Sequence, residues 1–246
     1  MTHKIIVLWG HPRSLSTAFE RMIMERGDFQ VFHEPFAYVY YVLEQRACAT
    51  GMIIDPDKPI EYATIREHLL KSAETSPVFV KDMTYHSYDH LIKDDQFLSR
   101  IVNTFIIRNP AKSIPSYYAL DHNIVKEEIG YEEQFYIFQR VYDLNGKPPI
   151  VIDADDLQNN PAGIIAAYCQ ALNITFIQES LNWEKSYKKK WDVWKVWHND
   201  VANSTGIHKG NHQVYPDTVD NNAKIKALYD YHIPFYDKMY QHRLGT

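Results

Sequence analysis

The sequence predicts an α/β fold in which a central parallel sheet lies between two layers of helices, a three-layer sandwich of the P-loop type. Short apolar runs bounded by turn residues alternate with longer amphipathic segments. Such alternation is typical of βαβ units with right-handed crossovers. No repeat, low-complexity tract or linker divides the 246 residues, so we expect one domain over residues 1–246.

The elements follow from these runs in chain order. One predicted helix, Leu15–Glu25, places Leu15, Phe19, Met22 and Ile23 on one face. A second places Tyr131, Phe135, Phe138 and Tyr142 on one face and ends before Gly146. The predicted strands are Ile5–Trp9, Gln30–His33, Val78–Lys81, Thr104–Ile107 and Pro149–Asp153.

Composition limits the classes of function. A net charge of -5 argues against a protein that coats nucleic acid, because phosphate neutralisation needs a basic face. The first apolar run is too short for a signal peptide or a membrane span. The isolated Cys48 and Cys169 match no metal or redox spacing and agree with a reducing compartment. We therefore expect a cytoplasmic protein with no nucleic-acid or membrane partner, and its oligomeric state stays open.

The first strand leads into a loop suited to phosphate. Strand, loop and helix is the context in which backbone N–H groups and a helix N-terminus bind phosphate. Against the G-x-x-x-x-G-K-[ST] template, Gly10 and Thr17 match, but Leu15 replaces the second Gly and Ser16 replaces the Lys. Arg13 restores a cation, and the neighbouring hydroxyls can cap the helix. The alternative is a capped helix with an exposed arginine.

A second stretch, FIIRNPAKSIPSYY at 105–118, repeats this arrangement. Arg108 leaves a strand, a Pro-started helix follows, and Ser116 lies on its second turn. A cation and a hydroxyl placed in this way can converge on a further phosphate. The two sites together predict a ligand with phosphates at two ends, whereas a surface ion pair is the alternative for Arg108.

The motifs P-R-S-x-S-T (12–17), R-N-P-x-x-x-x-x-S-Y-Y (108–118) and D-D-L-x-x-x-P (155–161) resemble those of sulfotransferases that use 3′-phosphoadenosine 5′-phosphosulfate. The resemblance implies that substance as sulfuryl donor, with no metal required. The residues that it implies for the donor's 5′ end are Arg13, Ser14, Leu15, Ser16 and Thr17. For the 3′-phosphate it implies Arg108 and Ser116, with a short match at Lys209 and Gly210.

The chain also departs from the family's pattern. Ala18 stands where many members have a Trp that stacks on adenine, so adenine recognition is unassigned. In VFVKDM (78–83), Lys81 matches the family's Lys, but Met83 takes the position of its catalytic His. The usual base is therefore absent.

Sulfuryl transfer needs in-line placement, positive charge at the bridging oxygen and a base for the acceptor's proton. Arg13 and Lys81 can supply the charge. Glu34, at the end of the second predicted strand, is our first candidate for the base, since some bacterial sulfotransferases have a Glu there. The alternative is a helix N-terminal charge beside Pro35. The further candidates for the base are Asp82 and His86, then His33 and His11.

Two more patterns have several interpretations. The pair His86 and His90 has metal-ligand spacing, but no third and fourth ligand follows at a recognisable distance. The segment KSYKKKWDVWKVWH (185–198) predicts an amphipathic helix packed by its Trp face, or a Trp that lines the acceptor pocket. Residues 204–222 form the longest irregular stretch, a candidate binding loop.

These observations predict transfer of a sulfuryl group to a hydroxyl or amine of a small molecule. A sugar-like or natural-product acceptor is expected, including a guanidinium alkaloid, because the resemblance extends to enzymes of such pathways. Two rivals stay open. A small-molecule kinase or nucleotide hydrolase would use the same loop with ATP, and a non-catalytic module would bind the nucleotide without transfer.

Overall fold

A computed structural model describes residues 3–46, 52–208 and 214–245. At its centre five strands form one parallel sheet with the order β2-β3-β1-β4-β5. The strands are β1 (Ile5–Gly10), β2 (Gln30–His33), β3 (Val78–Met83), β4 (Val102–Ile107) and β5 (Ile150–Asp153).

Helices connect the strands and cover both faces of the sheet. None in the described ranges is long and apolar enough to cross a bilayer. Their bounds are α1 (Ser16–Arg26), α2 (Tyr62–Ser72), α3 (Tyr88–Leu91), α4 (Asp95–Arg100), α5 (Pro110–Tyr118), α6 (Lys126–Ile129), α7 (Tyr131–Asn145), α8 (Ala154–Asn159), α9 (Pro161–Leu172), α10 (Asn199–Ala202) and α11 (Ala223–Tyr240). A π-helical turn spans Val39–Leu43, and 3₁₀ segments span Thr84–His86, Gln178–Leu181 and Lys189–Trp197.

The sheet is buried on both faces. Along β1, Ile5, Val7 and Trp9 belong to one hydrophobic core, whereas Ile6 and Leu8 belong to the other. Successive side chains of a strand point to opposite faces, so a strand that is apolar at every position needs a helical layer on each side. The predicted three-layer α/β fold is confirmed.

The strand order places a crevice at the carboxyl ends of the central strands. β1 lies in the middle, paired with β3 on one side and with β4 on the other. The chain therefore leaves β1 and β4 toward different sides, and their carboxyl ends border a topological switch point, where open α/β sheets bind ligands. The two motifs that we predict to bind phosphate follow β1 and β4, respectively.

The predicted boundaries are accurate to within two residues for the strands. Helix α1 begins at Ser16 rather than Leu15, because Leu15 adopts a left-handed conformation with φ of 73°. The predicted helix over residues 185–198 is wrong. The chain there forms the 3₁₀ segment Lys189–Trp197, which is interrupted at Trp194 (φ -129°, ψ 42°).

Candidate active site

A cavity of about 370 Å³ opens at the carboxyl ends of β1, β3 and β4. Its size lies within the range of small-molecule sites. One end is formed by the first loop and its cationic neighbours: Pro12, Arg13, Leu15, Ser16, Thr17, Ala18, Glu34, Lys81 and Arg108. The other end is aromatic, with Tyr41, Met83, Tyr85, His86, Tyr117, Trp194 and Trp197.

The first loop leaves the start of α1 open. Leu15 occupies the N-cap position, and its side chain makes no capping hydrogen bond. Arg13, like Leu15, has a positive φ, 63°, an uncommon backbone conformation for residues other than glycine. We expected the nearby hydroxyls of Ser14, Ser16 and Thr17 to cap this helix, and that expectation is wrong, since a leucine without a polar atom takes the cap position. The N–H groups of the first turn thus stay available for an anion.

Two buried polar atoms beside the loop lack a hydrogen-bond partner within the described part of the chain. They are Oγ of Ser14 and Nε of Arg108. Nη1 of Arg108 donates to the carbonyl of Arg13 at 3.0 Å, which holds the guanidinium over the loop. A buried donor without a partner is costly and rare, and an absent ligand is one explanation for it.

The two predicted phosphate-binding motifs are in direct contact. Nε of Arg13, from the first motif, donates to Oγ of Ser116, from the second, at 2.8 Å. Ser116 also accepts from the hydroxyl of Tyr215 at 2.8 Å, and Nη2 of Arg13 binds the exposed carboxylate of Asp200 at 2.8 Å. In this structure, Asp200 therefore occupies the position of an anionic partner of Arg13.

His11 joins the two motifs, a role that the sequence did not reveal. Its Nε2 accepts from the backbone N–H of Arg108 at 3.1 Å, while its Nδ1 lies 3.0 Å from the carbonyl of Pro12. This pattern requires a neutral ring with the proton on Nδ1. Burial lowers the pKa of His11 to about 3, with a smaller contribution from the positive charge of Arg108. The ring packs against that of Tyr131, with centroids 3.9 Å apart and planes tilted by 31°.

Glu34 and Lys81 form a buried ion pair at the floor of the cavity. Glu34 has a φ of 44°, and its N–H donates to the carbonyl of Lys81 at 2.7 Å. This turn at the end of β2 brings the Glu34 side chain toward β3. Burial alone would raise the pKa of Glu34, but Lys81 and the nearby histidines hold it well below its usual range. Glu34 is a carboxylate engaged with a cation.

A second polar cluster lies behind this pair. Nδ1 of His33 is 2.8 Å from Oε2 of Glu20, and Nε2 of His33 is 3.0 Å from Nε2 of His198. The groups His33, Glu34 and His198 offer ligand atoms within 4.8 Å of one another, a donor set of the type that binds a metal. Burial lowers the pKa of His198 well below its usual value, and the positive charges of Lys81 and Arg13 act in the same direction. Glu34, one of the three candidate ligands, is already paired with Lys81.

Asp82 does not line the cavity, although we predicted a catalytic role for it. Its Oδ2 accepts from the backbone N–H of Phe36 at 2.8 Å, and its Oδ1 accepts from that of Met83 at 2.8 Å. Nδ1 of His86 also contacts Oδ1, at 2.6 Å. His86, by contrast, lines the cavity. His86 and His90 do not share a site, since His90 contacts Glu44 instead.

The irregular tryptophan segment closes the aromatic end. Trp191 is buried and donates to Oε2 of Glu20 at 3.1 Å. Trp194 packs edge-on against Tyr41, and Trp197 packs edge-on against Tyr117. The three indoles thus pack against different partner side chains, with the backbone kinked at Trp194, and this accounts for the failed helix prediction. The alternative that a Trp lines the acceptor pocket agrees with the cavity lining.

Lys209 and Gly210 lie outside the described residues. From the neighbouring segment, Gly206, Ile207 and His208 line the cavity together with Gln158. Nε2 of Gln158 donates to the carbonyl of His208 at 3.3 Å. The predicted binding loop therefore begins at the cavity wall.

Comparison with protein families gives one match over nearly the whole chain. Residues 3–243 match the family model described as "Sulfotransferase domain". Two curated proteins of Arabidopsis thaliana are similar: branched-chain-amino-acid aminotransferase-like protein 2, 28% identical over 87% of this chain, and protein 1, 31% identical over 83%. The chain spans 38% and 36% of their lengths.

Solved structures share the fold at low sequence identity. A sulfotransferase domain from the olefin synthase of Synechococcus PCC 7002 aligns with a TM-score of 0.56 at 15% identity, covering 95% of this chain and 96% of that one. A sulfotransferase domain from the curacin biosynthetic pathway gives 0.55 at 13%, covering 94% and 97%. A sulfotransferase from Alicyclobacillus acidocaldarius gives 0.54 at 10%, covering 99% and 98%.

Proposed function

The chain belongs to the sulfotransferase domain family, as the motifs predicted, and we propose that it moves a sulfuryl group from 3′-phosphoadenosine 5′-phosphosulfate to a small molecule. One observation carries the choice of donor. The uncapped start of α1, the orphaned Nε of Arg108 and the orphaned Oγ of Ser14 surround the same loop. These donors suit a phosphate and lack another partner within the described ranges.

The arrangement of the two arginines supports a donor with two charged ends. The first turn of α1, with Ser16 and Thr17, would hold the phosphosulfate, and Arg108 with Ser116 would hold the 3′-phosphate. Arg13 lies between them, in contact with Ser116. Binding of the donor would replace the exposed Asp200 carboxylate at Arg13, an exchange that costs little because exposed ion pairs are weak.

Lys81 is the group that we assign to the reacting bond. As the bond between sulfur and the 5′-phosphate oxygen breaks, negative charge grows on that oxygen, and a fixed cation in a desolvated site stabilises it. The carboxylate of Glu34 holds Lys81 at the cavity floor before the donor binds. Glu34 is then the counter-ion of Lys81, which leaves the acceptor's proton to another group.

The aromatic end of the cavity would receive the acceptor. Tyr41, Trp194 and Trp197 present flat apolar surfaces, which suit rings, sugars and cationic groups. Two structural neighbours are described as parts of an olefin synthase and of the curacin pathway. We therefore propose a hydroxyl or amine on a natural-product or sugar-like metabolite, with a guanidinium alkaloid as one case.

Calorimetric titration with 3′,5′-adenosine bisphosphate tests the donor assignment. We expect micromolar binding by the wild type and a loss of tenfold or more, about 1.4 kcal/mol, in Arg13→Ala and in Arg108→Ala. Arg100→Ala, a change at an exposed arginine outside the cavity lining, is the matched control and should bind like the wild type.

ATP with Mg²⁺ is the comparison ligand. Ser16 stands where nucleotide triphosphatases have their Lys, so we expect weak binding of ATP and no turnover. Tight ATP binding without bisphosphate binding would overturn the proposal in favour of a kinase or hydrolase. Tight bisphosphate binding without transfer to any acceptor would favour a non-catalytic module.

The aminotransferase-like names belong to proteins more than twice as long as this chain and do not identify an acceptor for it.

A further inference from the structure

We infer that His86, oriented by Asp82, is the base that takes the proton of the acceptor. This inference deepens the proposed sulfuryl transfer and rests on it. The position that the family gives to a histidine holds Met83, whose thioether cannot accept a proton at neutral pH. Glu34 is engaged with Lys81. A third group must therefore serve.

The backbone after β3 brings His86 into place. The 3₁₀ turn Thr84–His86 begins directly after Met83 and folds the chain back over the end of the strand. As a result Nδ1 of His86 lies 2.6 Å from Oδ1 of Asp82, four residues earlier. His86 lines the cavity and is 1% exposed, so its ring is both enclosed and next to the acceptor space.

Asp82 fixes which nitrogen carries the proton. The carboxylate is completely buried and is held by two backbone N–H groups, those of Phe36 and Met83. A carboxylate only accepts hydrogen bonds, so Nδ1 of His86 is the protonated nitrogen and Nε2 keeps its lone pair. This is the arrangement by which an aspartate orients a catalytic histidine in hydrolytic triads.

Nε2 of His86 has no hydrogen-bond partner among the residues that the structure describes. The ring is surrounded by tyrosines, with centroids 4.5 Å from Tyr85, 5.5 Å from Tyr41 and 6.1 Å from Tyr40. None of these hydroxyls is a hydrogen-bond partner of Nε2. Tyr41 and Tyr85 bind each other at 3.0 Å, and Tyr41 also donates to Glu128. A residue of the cavity lining thus carries a buried ring nitrogen without a hydrogen-bond partner, which the hydroxyl of the sulfuryl acceptor would satisfy.

Three carboxylates interact with His86. Asp82 from β3 contacts it, and Glu34 after β2 and Glu128 on α6 are the other carboxylates that interact with it. Burial raises the pKa of Asp82, and its contact with His86 acts in the opposite direction. Lys81 directly precedes Asp82 in β3, and its charge is neutralised by Glu34.

The chemical step balances as follows. The acceptor's O–H bond breaks, its oxygen forms a bond to sulfur, and the proton moves to Nε2 of His86. The bond from sulfur to the 5′-phosphate oxygen breaks, and its electron pair stays on the departing 3′,5′-adenosine bisphosphate, where Lys81 faces the new charge. His86 becomes an imidazolium paired with Asp82 and then releases its proton to water when product leaves.

The test uses acceptors of falling acidity: 4-nitrophenol, phenol and benzyl alcohol, with radiolabelled 3′-phosphoadenosine 5′-phosphosulfate as donor. We expect His86→Gln to lower kcat by about 10²–10⁴ for benzyl alcohol and phenol, but far less for 4-nitrophenol, which ionises without help. Bisphosphate affinity should stay within about twofold of the wild type. A merely structural loss would lower all three rates alike, and equal rates in variant and wild type would overturn the inference.

Asp82→Asn tests the positioning role. We expect kcat to fall for phenol with little change in KM. Nitrogen NMR of the His86 ring should show a proton that is no longer confined to Nδ1 and is shared between Nδ1 and Nε2. The exposed His122→Gln is the control and should change neither quantity.

The same NMR measurement on the wild type decides the matter if no test acceptor reacts, because a proton on Nε2 in the resting enzyme would contradict the inference. Wild-type protein that neither binds the bisphosphate nor transfers sulfate would instead overturn the proposed function. Retained transfer in His86→Gln together with loss in Glu34→Gln would return the role of base to Glu34.

Discussion

The two ends of the cavity are built in different ways. The end formed by the first loop and its cationic neighbours, here called the anion end, consists of short loops at the carboxyl ends of β1, β2 and β4, tied together by directed hydrogen bonds through His11, Arg108 and Glu34. The aromatic end is closed by an irregular 3₁₀ segment, which is held by the burial of indole rings rather than by a regular backbone pattern.

This difference separates chemistry from specificity. Directed hydrogen bonds and buried charges place the proposed donor-binding groups accurately, so changes at the anion end should affect stability and transfer together. Aromatic packing tolerates changes of shape more readily, so changes at the other end should alter the choice of acceptor while leaving donor binding intact. The following predictions test that separation.

The largest effect is expected from breaking the buried pair of Lys81 and Glu34. Lys81→Met leaves the Glu34 carboxylate buried without its cation, which should cost about 3–5 kcal/mol of unfolding free energy in urea denaturation. The double variant Lys81→Met/Glu34→Leu should recover most of that loss yet transfer no sulfate. Lys112→Met, which breaks an exposed pair with Asp155, should cost about 1 kcal/mol or less. Full stability in Lys81→Met would contradict the buried-pair assignment.

An intermediate effect is expected from the protonation of His11. Its pKa is lowered from 6.5 to about 3 in the folded state, so the unfolded state binds more protons below pH 6.5. The contribution of His11 to stability is complete above pH 6.5 and is lost as pH falls toward 3. By pH 5 the loss should reach about 2 kcal/mol, from roughly 1.4 kcal/mol per pH unit.

Comparison with His11→Gln isolates this contribution. Urea denaturation at pH 7.5 and pH 5 should show the wild type losing about 2 kcal/mol more than the variant. His232, which also has a lowered pKa, and Glu133, whose pKa burial raises to about 7, are present in both proteins and cancel in the difference. An unchanged gap between the two proteins would show that His11 titrates normally.

The smallest effect is expected at the aromatic end. Trp194→Ala removes a ring that packs against Tyr41 in the cavity wall. We expect the KM for phenol to rise roughly tenfold, about 1.4 kcal/mol, while the affinity for 3′,5′-adenosine bisphosphate stays unchanged. Tyr136→Ala, an exposed aromatic outside the cavity lining, should change neither value. A matching loss of bisphosphate affinity in Trp194→Ala would show that the two ends are not separate.

The sequence determined the fold closely, and with it the place of the two predicted phosphate-binding motifs. Apolar runs with turn residues between them located the strands, because a buried parallel strand must be apolar on both faces. The loop from Gly10 to Thr17 and the motif at Arg108 could be found because each directly follows a strand. Their position in the sequence therefore places them at the carboxyl end of the sheet. His86 was already a further candidate for the base beside Asp82.

Only the tertiary structure decided the partners. The contacts from His11 to Arg108, from Arg13 to Asp200 and from His33 to His198 each join residues at least 97 positions apart. Residues so distant meet through packing, and no spacing in the chain encodes that. The same holds for the tryptophan segment, where the packing of three rings against different partners overrode the helical pattern, because tertiary contacts outweigh the small free-energy differences of local propensity.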